Sequence, residues 1–205
     1  MTDHIIRDLA ALEALYGTVN EVSALKEITY LHPHYAAFIK ASPFAVLATA
    51  GPHGLDASPR GDARGFIEIV DDKTLLLADR RGNNRIDSLR NIISRPYVAL
   101  LCMVPGIGET LRVNGTAEIS VDPDLLARFT IGDKPPRTML VIHIESVFFQ
   151  CSRALIRSEL WNPERHLPRS ALPSTGQILA AVTHDRIDGE TYDRELPPRL
   201  KATLY

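Results

Sequence analysis

Residues 74–90 read TLLLADRRGNNRIDSLR. TLLLAD is a short apolar run of the kind that forms a buried strand, and it stops at Asp79. In DRRGNNR, Gly82 permits a tight turn, and Asn83 or Asn84 is suited to cap a helix starting near Arg85. NRIDSLRNII then places Ile86, Leu89, Ile92 and Ile93 at i, i+3, i+6 and i+7, which predicts a helix packed by one face on a sheet. The segment is therefore a strand, a cationic loop and a helix.

On the N-terminal side, FAVLATA begins at Phe44 and ends in the turn signal GPHG. LDAS leads into PRGDARG, and GFIEIV alternates before Asp71-Asp72-Lys73 turns the chain into TLLLAD as a hairpin. On the C-terminal side, YVALLCMV ends in PGIG. TLRVNGTAEIS sets Leu111 and Val113 against Thr110, Arg112 and Asn114, and VDPDLLARF reads as a short helix begun at Asp122 with Pro123 in its first turn. MLVIHIESVFF is a last strand. About six strands joined mostly by hairpins predict a small antiparallel barrel, mainly β with flanking helices (α+β). Three helical segments precede it, the last stopping at Ser42-Pro43. After Trp161 the chain is rich in proline and holds one helix candidate, around Thr175 to Val182. The expected organisation is a helical segment over 1–40, the barrel over 41–160, and an extension over 161–205 that wraps the core or a partner subunit.

The chain of 205 residues carries a net charge of −2, with 45% hydrophobic and 23% charged residues. That balance argues against a general nucleic-acid or membrane-surface binder. No segment approaches the ~20 apolar residues that span a bilayer. MTDHIIRDLAALEAL lacks a basic region followed by an apolar run, so no secretory signal is expected and the default compartment is the cytoplasm. Cys102 and Cys151 both lie near apolar residues and are expected to be buried and reduced. His32-Pro33-His34 has no further ligand at metal spacing, so no metal is expected. His143 reads as a half-buried strand histidine, and Trp161 as a packing residue.

Against this acidic background, Arg80, Arg81, Arg85 and Arg90 crowd one loop and helix start. Two readings stand level on the loop alone. In one, Arg80 and Arg81 pair with Asp79 and Asp87 in a solvated turn. In the other, free N–H groups, the helix dipole, planar guanidinium donors and the Ser88 hydroxyl hold an anion such as phosphate. Lying between a barrel strand and the mid-barrel helix favours the second. The loop has neither G-x-x-x-x-G-K-[ST] nor G-x-G-x-x-G spacing. SPRGD, Ser58 to Asp62, is either a salt-bridged loop or a setting that aims Arg60 at a ligand. ETLRVNG puts Thr110 and Arg112 on one strand face.

Taken in order, FAVLAT, SPRGD, TLLLADRRGNNRIDSLRNI, RPYVALL and TLRVNGTAEI resemble the pyridoxamine 5′-phosphate oxidase-related flavoproteins, and within them a subgroup of FMN-dependent enzymes. The resemblance covers about residues 40 to 120 and continues less firmly through RALIRSELWNP to the final LY. It implies a split antiparallel β-barrel and a homodimer with FMN at the subunit interface. It also implies that the strand-to-helix loop holds the FMN phosphate through Asn83, Asn84, Arg85 and Ser88, with Asp79, Arg80 and Arg81 beside them. Ser58 and Arg60 would line the isoalloxazine and the phosphate, and Thr110 would contact the flavin with Arg112 next to it. The lysine of the family's Arg-Lys pair is missing here, as is its R-L-H-D-R ending, so pyridoxamine phosphate oxidation is not implied. The implied activity is an FMN-dependent oxidoreductase on an unidentified small molecule, with flavin N5 accepting the hydride or electron pair. The alternatives are a flavin carrier, sensor or redox buffer, or a split barrel for deazaflavin or haem. No catalytic residue is identified.

Overall fold

The computed structural model describes residues 4–205; the first three residues of the expected N-terminal segment lie outside them. Seven strands are present: β1 (Phe44–Gly51), β2 (Gly54–Gly61), β3 (Ile67–Ile69), β4 (Thr74–Asp79), β5 (Tyr97–Met103), β6 (Thr110–Ser120) and β7 (Thr138–Gln150). They form one antiparallel sheet in the order β2-β1-β5-β6-β7-β4-β3, curled into a split β-barrel. The count exceeds the expected six because LDAS and the first four residues of the SPRGD knot form one strand, β2. Pro59 is tolerated there because β2 is the margin of the sheet, where a missing N–H breaks no ladder.

Alternation drives the curl. In β1, Ala45, Leu47 and Thr49 point inward, and in β5 so do Val98, Leu100 and Cys102. Leu75, Leu77, Leu111, Val113, Ile142 and Val147 complete a core in which each fully buried aliphatic side chain contributes roughly 1.5–3 kcal/mol. β6 and β7 pair along nearly their whole lengths, with a bulge between Asn114 and Gly115.

The helices α1 (Leu9–Tyr16), α2 (Glu21–Leu25) and α3 (Pro33–Ala41) fall where the sequence predicts them, capped by Asp8, Asn20 and His32. Neither α1 nor α2 buries a residue. The mid-barrel helix α4 (Asp87–Ser94) starts later than expected, and no asparagine caps it. Asn83 instead accepts from the Arg85 N–H at 3.0 Å, and Asn84 and Ile86 take left-handed φ values of 59° and 52°. Of the predicted face, Leu89 and Ile92 pack on the core together with Ser88, while Ile86, now ahead of the helix, and Ile93 are exposed. α5 (Pro123–Arg128) begins after Asp122 as expected.

The C-terminal extension carries α6 (Arg153–Ser158), α7 (Thr175–Val182) and α8 (Gly189–Ala202), besides two short 3-10 turns. Of these helices the sequence reading expected only α7. α7 and α8 touch at Gly176 and Gly189, and Asp193 accepts from the Gly176 N–H at 2.7 Å and from the Ser174 hydroxyl. Trp161 donates its indole N–H to the Ile107 carbonyl at 2.9 Å, tying the extension to the β5–β6 turn.

Two smaller expectations are corrected. Cys151 is exposed, because it lies just beyond the end of β7, and His143 faces solvent rather than being half-buried. Burial pushes the Cys102 thiol up to about 12, so at neutral pH it holds almost no thiolate. One thiol per chain should therefore react readily with a maleimide in the folded protein. Cys151→Ser should abolish that fast labelling, and fast labelling that survives the substitution would show Cys102 to be accessible. No helix among the described residues is long and apolar enough to cross a membrane.

Candidate functional site

The short β3 pairs only with Leu75–Leu77, so Ala78 and Asp79 extend past it and leave that part of β4 open. The outer strand β2 approaches from the other margin of the sheet. Two ion pairs close the split between them. The Arg60 Nη1 donates to Asp79 Oδ1 at 2.6 Å, with both side chains largely covered. Arg80 Nε donates to Asp62 Oδ2 at 3.2 Å and its Nη1 to the Phe129 carbonyl at 2.6 Å. Where the strands part, the loop after β4 and the start of α4 wall a cleft of about 860 Å³, within the ~300–1,000 Å³ usual for cofactor and ligand sites.

The loop reaches this position because its backbone is bent twice. An Ile at φ 52° is costly, and such residues persist where the surroundings enforce them, often at ligand sites. Ser88, buried at the first turn of α4, donates to Asp56 Oδ2 at 2.5 Å. Arg85 is exposed and donates to Asp87 at 2.8 Å, a bond that raises the guanidinium pKa further. Arg137, just before β7, donates to Asn84 Oδ1 at 3.0 Å. From the far end of the extension, the Tyr205 hydroxyl donates to Asp62 Oδ1 at 2.8 Å, and this bond raises the phenol pKa.

Ser58, Arg60, Asp79, Arg80, Arg81, Asn83, Asn84, Arg85 and Ser88 all line this cleft. Thr110 and Arg112 do not. Thr110 is buried at the start of β6 and donates to Gln150 Oε1 at 3.3 Å, while the Arg112 guanidinium lies 5.4 Å from the Phe148 ring centroid. The pairings read from the loop are also corrected: Asp79 pairs with Arg60, Asp62 with Arg80, and Asp87 with Arg85. The predicted site does not include Asp56, Arg137, Thr138 and Tyr205, which also line the cleft. The signals available were the final LY, to which the resemblance extends, Asp56 two residues before Ser58, and Arg137 after two prolines.

Among the described residues, two buried side-chain polar atoms have no hydrogen-bond partner, Arg60 Nε and Thr138 Oγ1. Both residues line the cleft. Orphaned polar groups are rare in folded proteins, and a bound ligand is one of the few ways to satisfy them. No histidine or cysteine lines the cleft, and among the described residues no group of three or more His, Cys, Asp or Glu side chains is placed to hold a metal.

A family model for pyridoxamine 5′-phosphate oxidase matches residues 31–151, more than half of the chain and all seven strands. The chain belongs to this family. Solved structures with a similar fold include a histidine-to-alanine variant of HupZ from Group A Streptococcus, at 18% identity and a TM-score of 0.49, covering 58% of this chain and 99% of that one. A protein related to general stress protein 26, of the pyridoxinephosphate oxidase family, from Clostridium acetobutylicum matches at 15% identity and a TM-score of 0.46, covering 58% and 86%. General stress protein 26 from Bacillus anthracis matches at 17% identity and 0.43, covering 57% and 88%. No curated protein matches the chain.

Proposed function

We propose that the cleft binds FMN and that the protein is an FMN-dependent oxidoreductase acting on a small molecule. The observation that carries this reading is that two orphaned buried polar atoms, Arg60 Nε and Thr138 Oγ1, belong to residues lining one cleft of about 860 Å³, in a family whose fold accommodates flavin. When bound, FMN supplies an isoalloxazine that takes up a hydride or electron pair at N5. The chain's own part is binding and orientation. Arg60, anchored by its Nη1 bond to Asp79, offers its free Nε N–H to a phosphate oxygen. Asn83, Asn84 and Arg85 present the bent loop, and Ser88 fixes the start of α4 through Asp56. With no imidazole or thiolate in its lining, the cleft offers haem neither of these axial ligands.

A homodimer completes the reading. The chain exposes 14075 Å², against about 9,500 Å² for a compact monomer of this size. Part of that surface is apolar and suited to a partner: α1 and α2 bury nothing, and Leu55, Ile93 and Tyr97 are exposed. Thr110 and Arg112, which lie away from the cleft of their own chain, would then contact the partner's cofactor. The test is spectroscopic. Purified protein should be yellow, or turn yellow with added FMN, with flavin bands near ~375 and ~450 nm, and should sediment as a dimer. Protein that stays colourless with excess FMN would overturn the cofactor. Reduction by a nicotinamide without air, followed by reoxidation in air, would separate an oxidoreductase from a flavin carrier.

A further inference from the structure

Hydrogen bonds join the C-terminal extension to the barrel at two places. Near its start Trp161 donates to the Ile107 carbonyl, and far along it Tyr205 donates to Asp62. Among the described residues, every hydrogen bond and ion pair made by residues 162–204 has its partner within residues 159–203, apart from those of Asp193 and its neighbours, which also stay inside the α7–α8 pair. α7 and α8 pack chiefly on each other, across the contact of Gly176 with Gly189. The extension is therefore a flap, hinged near Trp161 and fastened at Tyr205.

The fastening lies on the cleft. α8 ends at Ala202, and Leu204 and Tyr205 then join the cleft lining. The Tyr205 hydroxyl holds Asp62 Oδ1 at 2.8 Å, Arg80 Nε holds Oδ2 at 3.2 Å, and the Arg80 guanidinium lies 5.8 Å from the Tyr205 ring centroid. Asp62 also accepts from the Ala63 N–H at 2.8 Å, and its side chain is 7% exposed, so the anchor is fixed on the barrel. The tail is not: Leu204 is 65% exposed. One phenol–carboxylate bond and one cation–π contact form a link of modest strength, the kind that opens by local motion while the core stays folded.

We propose that residues 203–205 are a strap across the cleft, latched by Tyr205 to Asp62 and Arg80, which must release before a ligand enters or leaves. The assignment of FMN as that ligand rests on the proposed function of the cleft. On release the α7–α8 pair stays intact, because Asp193 ties Ser174 and Gly176 to α8. It moves on the segment after Trp161, which holds Pro163, Pro168 and Pro173. The latch is made whether or not the cleft is filled. Entry and exit rates therefore scale together with the fraction of time the strap is open, and the equilibrium affinity does not.

Tyr205→Phe keeps the ring and deletes the bond. In stopped flow, FMN association with flavin-free protein and FMN dissociation on dilution should both quicken about tenfold. Kd should change less than about twofold, because both rates move together. Tyr205→Ala, which also removes the ring over Arg80, should quicken both further. Faster dissociation alone would make Tyr205 a ligand contact, and faster association alone would make it a plug in the ligand's place. Either result, or unchanged rates, overturns the strap. Trypsin supplies a readout that needs no flavin. Arg199 and Lys201 are exposed in the last turn of α8, and cleavage there should be about tenfold faster in Y205F than in the wild-type protein. Equal cleavage overturns the latch. If neither protein takes up FMN, the flavin reading falls and trypsin alone decides: quickened cleavage in Y205F keeps the strap, and equal cleavage removes it.

Discussion

Arg60→Met should lower FMN affinity about 100-fold while leaving the protein folded. Arg60 is the one cleft arginine that is both largely covered and short of a partner: Nη1 is committed to Asp79 and Nε is buried without an acceptor. Removing the guanidinium deletes a charge-assisted donor and leaves the Asp79 carboxylate facing the ligand alone. A hydrogen bond to a charged group contributes about 1.5–3 kcal/mol, so this bond and the exposed repulsion together cost about 3 kcal/mol, or about 100-fold. Arg60→Met/Asp79→Asn should recover part of that loss by removing the stranded charge. Arg85→Ala should do less, about threefold, because Arg85 is 75% exposed and already bonded to Asp87. Fluorescence titration with FMN, alongside a thermal melt of each variant, measures both. The opposite ranking, with Arg85→Ala emptying the protein and Arg60→Met retaining flavin, would move the phosphate from the strand margin onto the loop.

That ranking was not legible in DRRGNNR. The density of arginine pointed to the loop, and the loop does wall the cleft. Its pairings, however, are set only in part by neighbours: Arg85 pairs locally with Asp87, but Arg80 is answered by Asp62 in the loop after β2, and Asp79 pairs with Arg60 across the split. Pairing across a gap between non-neighbouring strands depends on the curl of the whole sheet, which no local spacing encodes. The same holds for Tyr205, which meets Asp62 from 143 positions away. Thr110 and Arg112 were assigned by motif correspondence, and the single chain places them away from its own cleft.

The fold itself was largely legible, because hairpin strands advertise themselves by alternation and turn residues. β1, β4, β5, β6 and β7 follow this pattern directly. β2 was obscured by Pro59, whose penalty disappears at a sheet margin. α8 was obscured by Pro197 and Pro198, which sit inside a helix that the sequence read as irregular tail. α4 begins later than expected because residues 84 and 86 adopt left-handed backbone, a conformation that Asn advertises and Ile does not.

Gly115→Ala should be the most damaging single methyl group added to the protein. Gly115 sits at the bulge where β6 meets β7: Asn114 pairs with Ser146 and Gly115 with Ile144, leaving Glu145 as the extra residue. A Cβ at Gly115 would lie 1.9 Å from the His143 carbonyl oxygen and 2.9 Å from its carbon, both backbone atoms that no rotamer change can move. Relief requires the strands to separate in the middle of the sheet, next to buried Val113, Ala117 and Ile144. A cost of about 3–4 kcal/mol follows, a large part of the ~5–15 kcal/mol that holds a domain together. At about 2–4 °C per kcal/mol for a chain of this length, the melting temperature should fall by roughly 6–16 °C. Gly82→Ala is the control: it adds a methyl group into open space without a positive φ and should change stability by less than about 0.5 kcal/mol. A Gly115→Ala melt within ~2 °C of wild type would mean that β6 and β7 are not paired in this register. The bulge also sets the register in which the first half of β6 pairs with β7, and with it the direction in which Thr110 and Arg112 are presented. If the proposed dimer places Thr110 and Arg112 against the partner's flavin, a folded Gly115→Ala protein should bind FMN more weakly even though the residue lies outside the cleft.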